Sequence, residues 1–413
     1  MSANLDLILR AAHPQVVATL SRVLGDVERA MDATQEAMLR AVQKWPQQGT
    51  PEQPVAWLVT VGRNHAIDQL RRDQRSVALP ADDPAGDRLH HAGADLLDAR
   101  DVHEADDEDM LKLLLTCVRP QLGSGAQLAL MLKVVVGLSV EEIAQALLAT
   151  PLSIEKRITR AKRAIADDGY ETALEDGDLS VGCDAILKSI YLMFNTGYGR
   201  IEESRVEDSA LVANALRLAR ITGRMLRRDS RPRSLLALML LSAARMPARL
   251  DAEGAYVPLH EQDRSRWNKA LIQEGTALLH AVFALRHPPY GYQIQAAISA
   301  LHCRADHAQD TDWVQIVGLY DALEKHDPSP VVAVNRAVAQ AFAGATDEAL
   351  AALEAAAAEK SLAEYQPLYA ALGFVQARRG DLAAARLHYE RAAALTHNEA
   401  HHRYLSRQLS VLP

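Results

Sequence analysis

The sequence predicts an all-α protein built from several domains. Alanine and leucine dominate the chain of 413 residues, and aromatic residues make up only 5%. Folds rich in β-structure draw more heavily on aromatic and β-branched side chains. Apolar residues recur at helical spacing along most of the chain, and glycine and proline fall mainly between these runs. A chain of this length is long enough for two or three domains.

Charge and cysteine content limit the class of protein further. The net charge is −8, which argues against indiscriminate binding of nucleic acid. The three cysteines are far apart in the chain, with neither a disulfide framework nor zinc-ligand spacing, and they indicate a reducing compartment. The N-terminal apolar run contains Asp6 and Arg10 and so differs from a signal peptide. No stretch has the roughly 18 uninterrupted apolar residues of a membrane span, so we expect a cytoplasmic protein with no membrane partner.

The first domain, residues 1–75, is predicted to contain three helices. Apolar residues recur at helical spacing from Leu5 up to Gly25, where the first helix is expected to end. The stretch 46–54 contains three prolines and a glycine, so it is expected to be a loop, and the third helix starts just after Pro54. The apolar set of the second helix is Val27, Met31, Met38, Leu39 and Val42.

The third helix combines a basic face with a tryptophan. On an ideal helix Val59, Ala66 and Leu70 share one side, and Trp57 lies on the opposite, polar side. An aromatic ring beside an amide and arginines can contact phosphates and stack on unpaired bases. The alternative is a solvated face with Trp57 packed against the neighbouring helix. The polar side consists of Trp57, Asn64, Asp68 and Arg71.

Residues 76–107 are predicted to be an acidic, flexible linker. The run from 81 to 109 is strongly acidic and has no sustained apolar stripe, which is typical of a chain that cannot bury a core. It separates two basic islands, 56–75 and 156–163. The chain is therefore expected to consist of a basic-faced domain, an acidic linker, a second basic-faced domain and a long helical tail.

The second domain, residues 108–168, carries the signature of two helices joined by a short turn. Ser139 and Glu142 form a capping box that fixes the start of the first helix. Thr150 is a favourable N-cap, and Pro151 takes the first position of the second helix. This is the layout of a helix-turn-helix whose second helix enters a major groove, and a charged helical hairpin is the alternative. The expected exposed residues of the second helix are Glu155, Lys156, Arg157, Thr159, Arg160, Lys162 and Arg163.

The two domains together resemble regions 2 and 4 of extracytoplasmic-function sigma factors. The resemblance is carried by "MDATQEAMLRAVQKW", "AWLVTVGRNHAIDQLRR" and "GLSVEEIAQAL…SIEKRITRAKRAI". The family pattern in the first motif is acidic-Asp-Ala-x-Gln-Glu-x-Phe. This chain keeps Asp32, Gln35 and Glu36, whereas Met31 and Met38 stand where the family has the acid and the phenylalanine.

The resemblance implies a partner for each set of residues. Asp32, Gln35 and Glu36 would bind the largest subunit of core RNA polymerase, and the second domain would meet its flap. The third helix would melt and hold the −10 promoter element, and the helix at 151–165 would bind the −35 element. Neither a catalytic residue nor a cofactor or metal is implied. The implied −10 contacts are Trp57, Arg63, Asn64, Asp68, Arg71 and Arg72, and the implied −35 contacts are Ser153, Glu155, Lys156, Arg157, Thr159, Arg160, Lys162 and Arg163.

The tail, residues 170–413, resembles the C-terminal domain of a sigma-factor subfamily related to tetratricopeptide repeats. "GATDEALAALEAAAA" from Gly344 and "GDLAAARLHYERAAAL" from Gly380 stand 36 residues apart, and a further helix is expected before each, at 331–343 and 364–379. This spacing predicts a tetratricopeptide-like α-solenoid, and a purely structural helical array is the alternative.

Two further features of the tail allow several interpretations. "EQDRSRW", 261–267, is polar within an apolar region and could be a catalytic carboxylate–arginine pair, a docking contact, or a helix start held by ion pairs. The pairs His90–His91 and His401–His402 could bind a metal, but neighbouring histidines on a helix point to different faces. The contact candidates of the tail are Asn195, Tyr198, Asp263, Arg264, Arg266 and Trp267.

The sequence as a whole predicts an alternative sigma factor that performs no bond chemistry. The tail would regulate it, through contact with the sigma domains or with an unknown protein partner. One alternative is a free-standing helix-turn-helix regulator with a repeat sensor, which would not need the first domain. The other is an enzyme, but no glycine-rich phosphate loop, nucleophile elbow or set of metal ligands appears in the sequence.

Overall fold

The computed structural model describes residues 2–76, 99–119, 121–147, 149–168, 176–200, 206–227 and 229–412. Within these ranges the chain is all-helical, as predicted, with short 3₁₀ turns and no strand. An isolated antiparallel bridge pairs Leu250 with Tyr256. None of the helices in this part of the chain has the length and apolar character needed to cross a membrane.

The described residues form two compact units. The first unit lies within Met1–Gly197 and Val206–Arg227, and the second within Tyr198–Arg205 and Arg228–Pro413. Most of the predicted linker, 77–98, lies outside the described residues, and its last residues already belong to a helix that begins at Ala99. The helices of the first unit are α1 (Ser2–Leu24), α2 (Val27–Gln48), α3 (Pro54–Ser76), α4 (Ala99–Cys117), α5 (Ser124–Val134), α6 (Val140–Ala146), α7 (Pro151–Asp168), α8 (Asp176–Arg200, up to Gly197) and α9 (Val206–Met225).

Helices α1, α2 and α3 pack into a three-helix bundle, as predicted for the first domain. Gly25 ends α1 with φ of +64°, and the carboxylate of Asp26 caps α2 by accepting from two backbone N–H groups. The predicted loop at 46–54 is wrong for its first residues, because α2 continues through Pro46 to Gln48. Buried Trp45 anchors this last turn in the core, and its carbonyl accepts the N–H of Gly49 at 2.9 Å.

The buried side of α2 matches the predicted apolar set at Val27 and Met31 and differs from it farther along the helix. Leu39 and Val42 were expected to be buried, but they are 53% and 49% exposed. Small residues at helical spacing face the bundle instead, and they allow α1 and α3 to approach α2 closely. The residues on this side include Ala30, Ala33, Thr34, Ala37, Ala41 and Trp45.

The second unit is an array in which each helix packs against the next along the chain. The predicted helices at 331–343 and 364–379 are present as α14 and α16, and Gly344 and Gly380 adopt the positive φ values that a turn after a helix requires. The helices are α10 (Arg231–Ala243), α11 (Lys269–Ala284), α12 (Gly291–Arg304), α13 (Trp313–His326), α14 (Pro330–Phe342), α15 (Thr346–Ala357), α16 (Gln366–Arg379), α17 (Leu382–Leu395) and α18 (Glu399–Ser410).

A segment without α-helix, residues 249–267, which includes a 3₁₀ turn at Arg264–Arg266, contacts several helices of this array. At one end the backbone N–H of Tyr256 donates to the carbonyl of Ala400 at 3.0 Å. In the middle, the ring of His260 lies 5.0 Å from that of Phe342 and 5.6 Å from that of Phe374. Successive parts of this one segment therefore tie together α14, α16 and α18.

Candidate nucleic-acid interface

Helix α2 presents a mixed polar and apolar row to solvent. Asp32 and Gln35 are exposed, and Glu36 is half-buried and pairs with Arg40 at 2.8 Å. The exposed side chains of Leu39 and Val42 continue the same row along the helix. A polar rim beside an exposed apolar patch is typical of a surface that binds another protein.

The two methionines that depart from the family pattern face inward. Met31 is 5% exposed, and Met38 packs against the core of the bundle. A carboxylate at position 31 would lie in an apolar site in this conformation, and burial of an unpaired charge is costly. The departure therefore suits the packing of α2, and the exposed polar residues Asp32 and Gln35 are unaffected by it.

Helix α3 has an exposed row at four-residue spacing. Ala56, Thr60, Asn64 and Asp68 are all exposed, and side chains at this spacing follow one face of a helix. Arg63 flanks the row and is half-buried, and its Nε has no hydrogen-bond partner. The side chains of Arg71 and Arg72, which complete the predicted set, lie outside the described residues.

Trp57 packs against the bundle rather than standing in the exposed row. Its ring meets that of Trp45 edge to face, with the centroids 5.3 Å apart, and it lies beside the core of the bundle. Trp57 is half-buried, so part of its side chain is accessible to solvent. The interpretation that Trp57 supports the helix is therefore the one that matches its contacts.

A glycine sets how closely α3 approaches the other two helices. A Cβ added at Gly62 would lie 2.8 Å from Leu20 Cδ1 and 3.0 Å from the carbonyl oxygen of Ala33. Real Cβ atoms essentially never come within 3.0 Å of another heavy atom. The absence of a side chain at Gly62 therefore allows the close packing of α3 against α1 and α2 that positions the exposed row.

The pair α6 and α7 has the local geometry that the sequence predicted. Glu142 and Ser139 bond reciprocally: Ser139 N–H donates to the carboxylate at 2.7 Å, and Glu142 N–H donates to the hydroxyl at 3.1 Å. The hydroxyl of Thr150 accepts from Ser153 N–H at 3.3 Å at the start of α7. Leu148, between the helices, lies outside the described residues. The buried contacts of the pair include Ile143, Ala144, Ile154, Ile158, Ala161 and Ile165.

Helix α7 carries a basic face opposite this apolar side. Five cationic side chains against Glu155 give the face a net positive charge, as a phosphate-binding helix requires. Lys162 is already ion-paired, with its Nζ 3.0 Å from the carboxylate of Glu28. Burial and the nearby Lys162 charge lower the pKa of Lys133, which donates to the carbonyl of Leu138. The exposed members are Glu155, Lys156, Thr159, Arg160 and Arg163, and the half-buried ones are Ser153, Arg157 and Lys162.

The contact candidates of the tail are divided between the two units. Asn195 is exposed on α8 in the first unit. Tyr198 belongs to the second unit, where the guanidinium of Arg249 lies 4.0 Å from its ring centroid and donates to its carbonyl at 2.9 Å. These contacts of Tyr198 fix local structure, whereas the side chains of Asn195, Asp263 and Arg266 are exposed to solvent.

The segment "EQDRSRW" forms a capped turn. Asp263 accepts from the N–H and the hydroxyl of Ser265, and these bonds lower its pKa. Arg264 donates to the carbonyls of His302 and Ala305, both at 2.6 Å, and lies over the ring of Trp267. Arg266 donates to the carbonyl of Leu250. The predicted ion pairs of Asp263 are replaced by these contacts, so the segment has a structural role in the array.

The histidine pairs give no ligand cluster. His401 stacks on Tyr256 with the ring centroids 4.4 Å apart, whereas the ring of His402 meets Ser406. His90 and His91 lie outside the described residues. In the described part of the chain, no group of three or more histidine, cysteine or acidic residues is placed to hold a metal ion.

Comparison with known proteins gives two family matches and one relative. Residues 8–76, which cover most of α1 to α3, match sigma-70 region 2. Residues 183–283 match a family of unknown function, DUF6596. The whole chain is similar to an uncharacterized protein of Rhizobium meliloti (strain 1021), with 39% identity over 411 residues, covering 99% of this chain and 96% of the relative.

Proposed function

The chain belongs to the same family as its Rhizobium meliloti relative and has the region 2 domain of a sigma-70 family factor, and from this premise we propose that it is an alternative sigma factor of the extracytoplasmic-function type. It binds core RNA polymerase and directs transcription from a promoter with −10 and −35 elements. The observation that carries the proposal is the sigma-70 region 2 match over a bundle with an exposed contact row on α2.

The row on α2 is the proposed polymerase contact. Asp32, Gln35 and Glu36 supply the polar part, and exposed Leu39 and Val42 supply apolar area. Buried apolar contacts carry most of the free energy of a protein interface, and the polar rim gives orientation. The partner is the coiled coil of the largest subunit, and the second domain meets the flap.

The two basic faces are the proposed promoter contacts. The exposed row of α3, with Arg63, Arg71 and Arg72, holds the −10 element as its strands separate. Trp57 braces that row through Trp45. The face of α7 binds the −35 element, where arginine and lysine neutralise phosphates and Arg160 reaches base edges. Two modest sites on one chain bind jointly with much higher affinity than either alone.

The C-terminal helices are the proposed regulatory part. A tetratricopeptide-like array offers an extended surface to a peptide or protein, and the pairwise packing of α14 to α17 supports that assignment. The array then controls the activity of the sigma domains in cis or through an unknown protein partner. The factor needs no cofactor and acts in the cytoplasm, where core polymerase and the chromosome are found.

Co-purification with core polymerase tests the proposal. Asp32→Lys with Glu36→Lys reverses the polar row without touching the buried side of α2, so we expect association with core polymerase to be lost and helical content to be kept. Glu348→Lys with Glu354→Lys reverses the same charge on exposed positions of α15 and is expected to bind normally. Undiminished binding by the first double variant would overturn the assignment of α2. A chain that binds promoter duplex but never polymerase would be a free-standing regulator instead.

A further inference from the structure

The region 2 bundle and the helix pair α6–α7 are held together in the first unit by specific polar contacts. Helix α1 packs against α4, where Arg22 Nε lies 2.8 Å from the carboxylate of Asp109. Farther along α1, Arg10 pairs with Glu142 at 3.5 Å, at the start of α6. A third ion pair joins α2 to α7, through Glu28 and Lys162.

The centre of this joint is buried. His13 on α1 is 9% exposed, and its Nε2 lies 3.2 Å from the carbonyl oxygen of Val134 at the end of α5. Gly137 lies directly against the same ring, because an added Cβ would come within 2.8 Å of it. Asp109 is only 2% exposed, and a buried carboxylate is stable only while its cationic partner stays. A chance contact between surface charges would leave Asp109 and His13 exposed to solvent, whereas both are buried here.

Helix α9 packs on both sides of the joint. It contacts α1 and α4, and buried Asn214 donates from Nδ2 to the backbone carbonyl of Arg10 at 3.3 Å. Several apolar side chains of α9 are buried along the same helix, among them Leu211, Val212, Ala215, Leu218 and Ala219. Helix α9 lies inside the stretch matched to the family of unknown function, 183–283.

This arrangement is too compact for a promoter with two elements. The names of the −10 and −35 elements give the positions of their centres, which are about 25 base pairs apart. This separation corresponds to roughly 85 Å of duplex. In the first unit, Lys162 of α7 lies 3.0 Å from Glu28 of α2, and α2 packs against α3. Helices of this length are only about 35 Å long, so both DNA faces lie within a few tens of ångströms. The unit must open between α1 and α4 before both elements can be bound.

We infer that the first unit is a closed form that cannot engage a two-element promoter, and that α9 is the helix that holds it closed. The inference rests on the proposed function and assigns a regulatory contact to it. Docking of α9 stabilises the joint because α9 covers residues from both sides. Release of α9 removes its contacts with α1 and α4 and leaves the direct packing of α1 on α4, the ion pairs and the His13 contact, which shifts the population toward the open form.

Distance measurements between spin labels test the closed form without polymerase or DNA. Nitroxide probes placed as unnatural amino acids at Arg29 and Glu155, both exposed, report on the separation of α2 and α7. We expect one short, narrow distance distribution for the full chain. A long or broad distribution for this chain would overturn the inference at once.

Two opening variants and two controls make the test specific. Asn214→Arg places a long cation where α9 is buried, and Arg22→Glu sets a carboxylate against buried Asp109, so both should lengthen the distance. Ala213→Arg, one residue earlier and exposed, and Lys44→Glu, exposed on α2, should leave it unchanged. Circular dichroism identifies any variant that fails to fold. An unchanged distance in both folded opening variants would contradict the role of α9 and of the joint.

Transcription at limiting core polymerase completes the test. The unlabelled opening variants should give severalfold more transcript than the parent chain from a promoter that carries both elements. Equal transcription by parent and opened chains would overturn the inference and leave the proposed function standing. Opening without polymerase binding by any form would overturn the proposed function and leave the closed arrangement intact.

Discussion

His13 is a buried histidine whose neutral form the first unit requires. Burial, together with the nearby charges of Lys133 and Arg10, lowers its pKa to about 4, although the carbonyl of Val134 opposes the shift. In the unfolded chain the pKa is about 6.5. The lowered pKa therefore gives a stability contribution that is present above pH 6.5 and is lost as the pH falls from there toward 4.

We expect this histidine to make the first unit acid-sensitive. Between pH 6.5 and pH 4, protonation of His13 in the unfolded chain should lower the free energy of unfolding by about 3 kcal/mol. Hydrogen exchange of α1 amides at pH 7 and pH 5, corrected for intrinsic rates, measures the change, and His13→Gln should flatten it. His302 in the second unit also has a lowered pKa, about 3, so a readout confined to α1 is needed. A pH-independent α1 would contradict the account.

Gly62 is expected to be sensitive to the smallest side chain. Alanine there gains about 1 kcal/mol of helix propensity, but its Cβ would clash with Leu20 and with the backbone oxygen of Ala33. We expect a net loss of about 1–3 kcal/mol in urea unfolding. Gly318 on α13 is the matched control, because nothing lies within 4 Å of its added Cβ. Gly318→Ala should be neutral or stabilising, and equal effects at the two sites would contradict the packing of α3.

At the scale of elements, α7 is expected to act through its exposed cations. Arg160→Ala should weaken binding to a −35 duplex and lower the slope of log affinity against log salt by about 1 if the side chain contacts a phosphate. A base contact would instead relax sequence preference, at a cost of about 1–3 kcal/mol. Binding of core polymerase should not change. Arg304→Ala, exposed in the second unit, is the control, and equal duplex affinity of both variants would argue against α7 as a DNA-binding helix.

The elements differ in how well their sequence predicted them. Helices α6 and α7 followed directly from Ser139, Glu142 and Thr150, because capping is a local interaction. The buried face of α2 was predicted correctly for Val27 and Met31 and wrongly for Leu39 and Val42, because the alanines that face the bundle carry little hydrophobic signal. The extension of α2 past Pro46 was also missed, since Trp45 anchors that turn only through tertiary contacts.

The division of the whole molecule depends on contacts that a sequence pattern does not encode. The tail was expected to be one domain from residue 170, but residues 176–197 and 206–227 belong to the first unit. Asn214 and Arg10 are 204 residues apart in the chain, so their contact leaves no local signature. Arg264 of "EQDRSRW" likewise bonds to carbonyls that are distant in the sequence, such as that of Ala305. Without these partners in view, the charged residues of the segment resemble a catalytic site.

Two truncations test this division. A chain ending at Arg227 keeps every element of the first unit and should unfold cooperatively. A chain ending at Asp168 lacks α8 and α9, and it uncovers Leu115 near the end of α4 and Val118 just after it, both of which lie close to Gly182. We expect the shorter chain to have the lower melting temperature by calorimetry. A shorter chain that is as stable as the longer one would show that α8 and α9 are not part of the unit.

Run-off transcription with purified core polymerase is the most direct test of the central claim. The template carries −10 and −35 elements selected by binding to core polymerase together with the opened Asn214→Arg chain, and the reaction is run without protein, with the parent chain and with that variant. We predict a promoter-specific transcript that depends on the protein and disappears with Asp32→Lys and Glu36→Lys. The absence of any protein-dependent transcript, with core polymerase active on a control sigma factor, would contradict the assignment as a sigma factor.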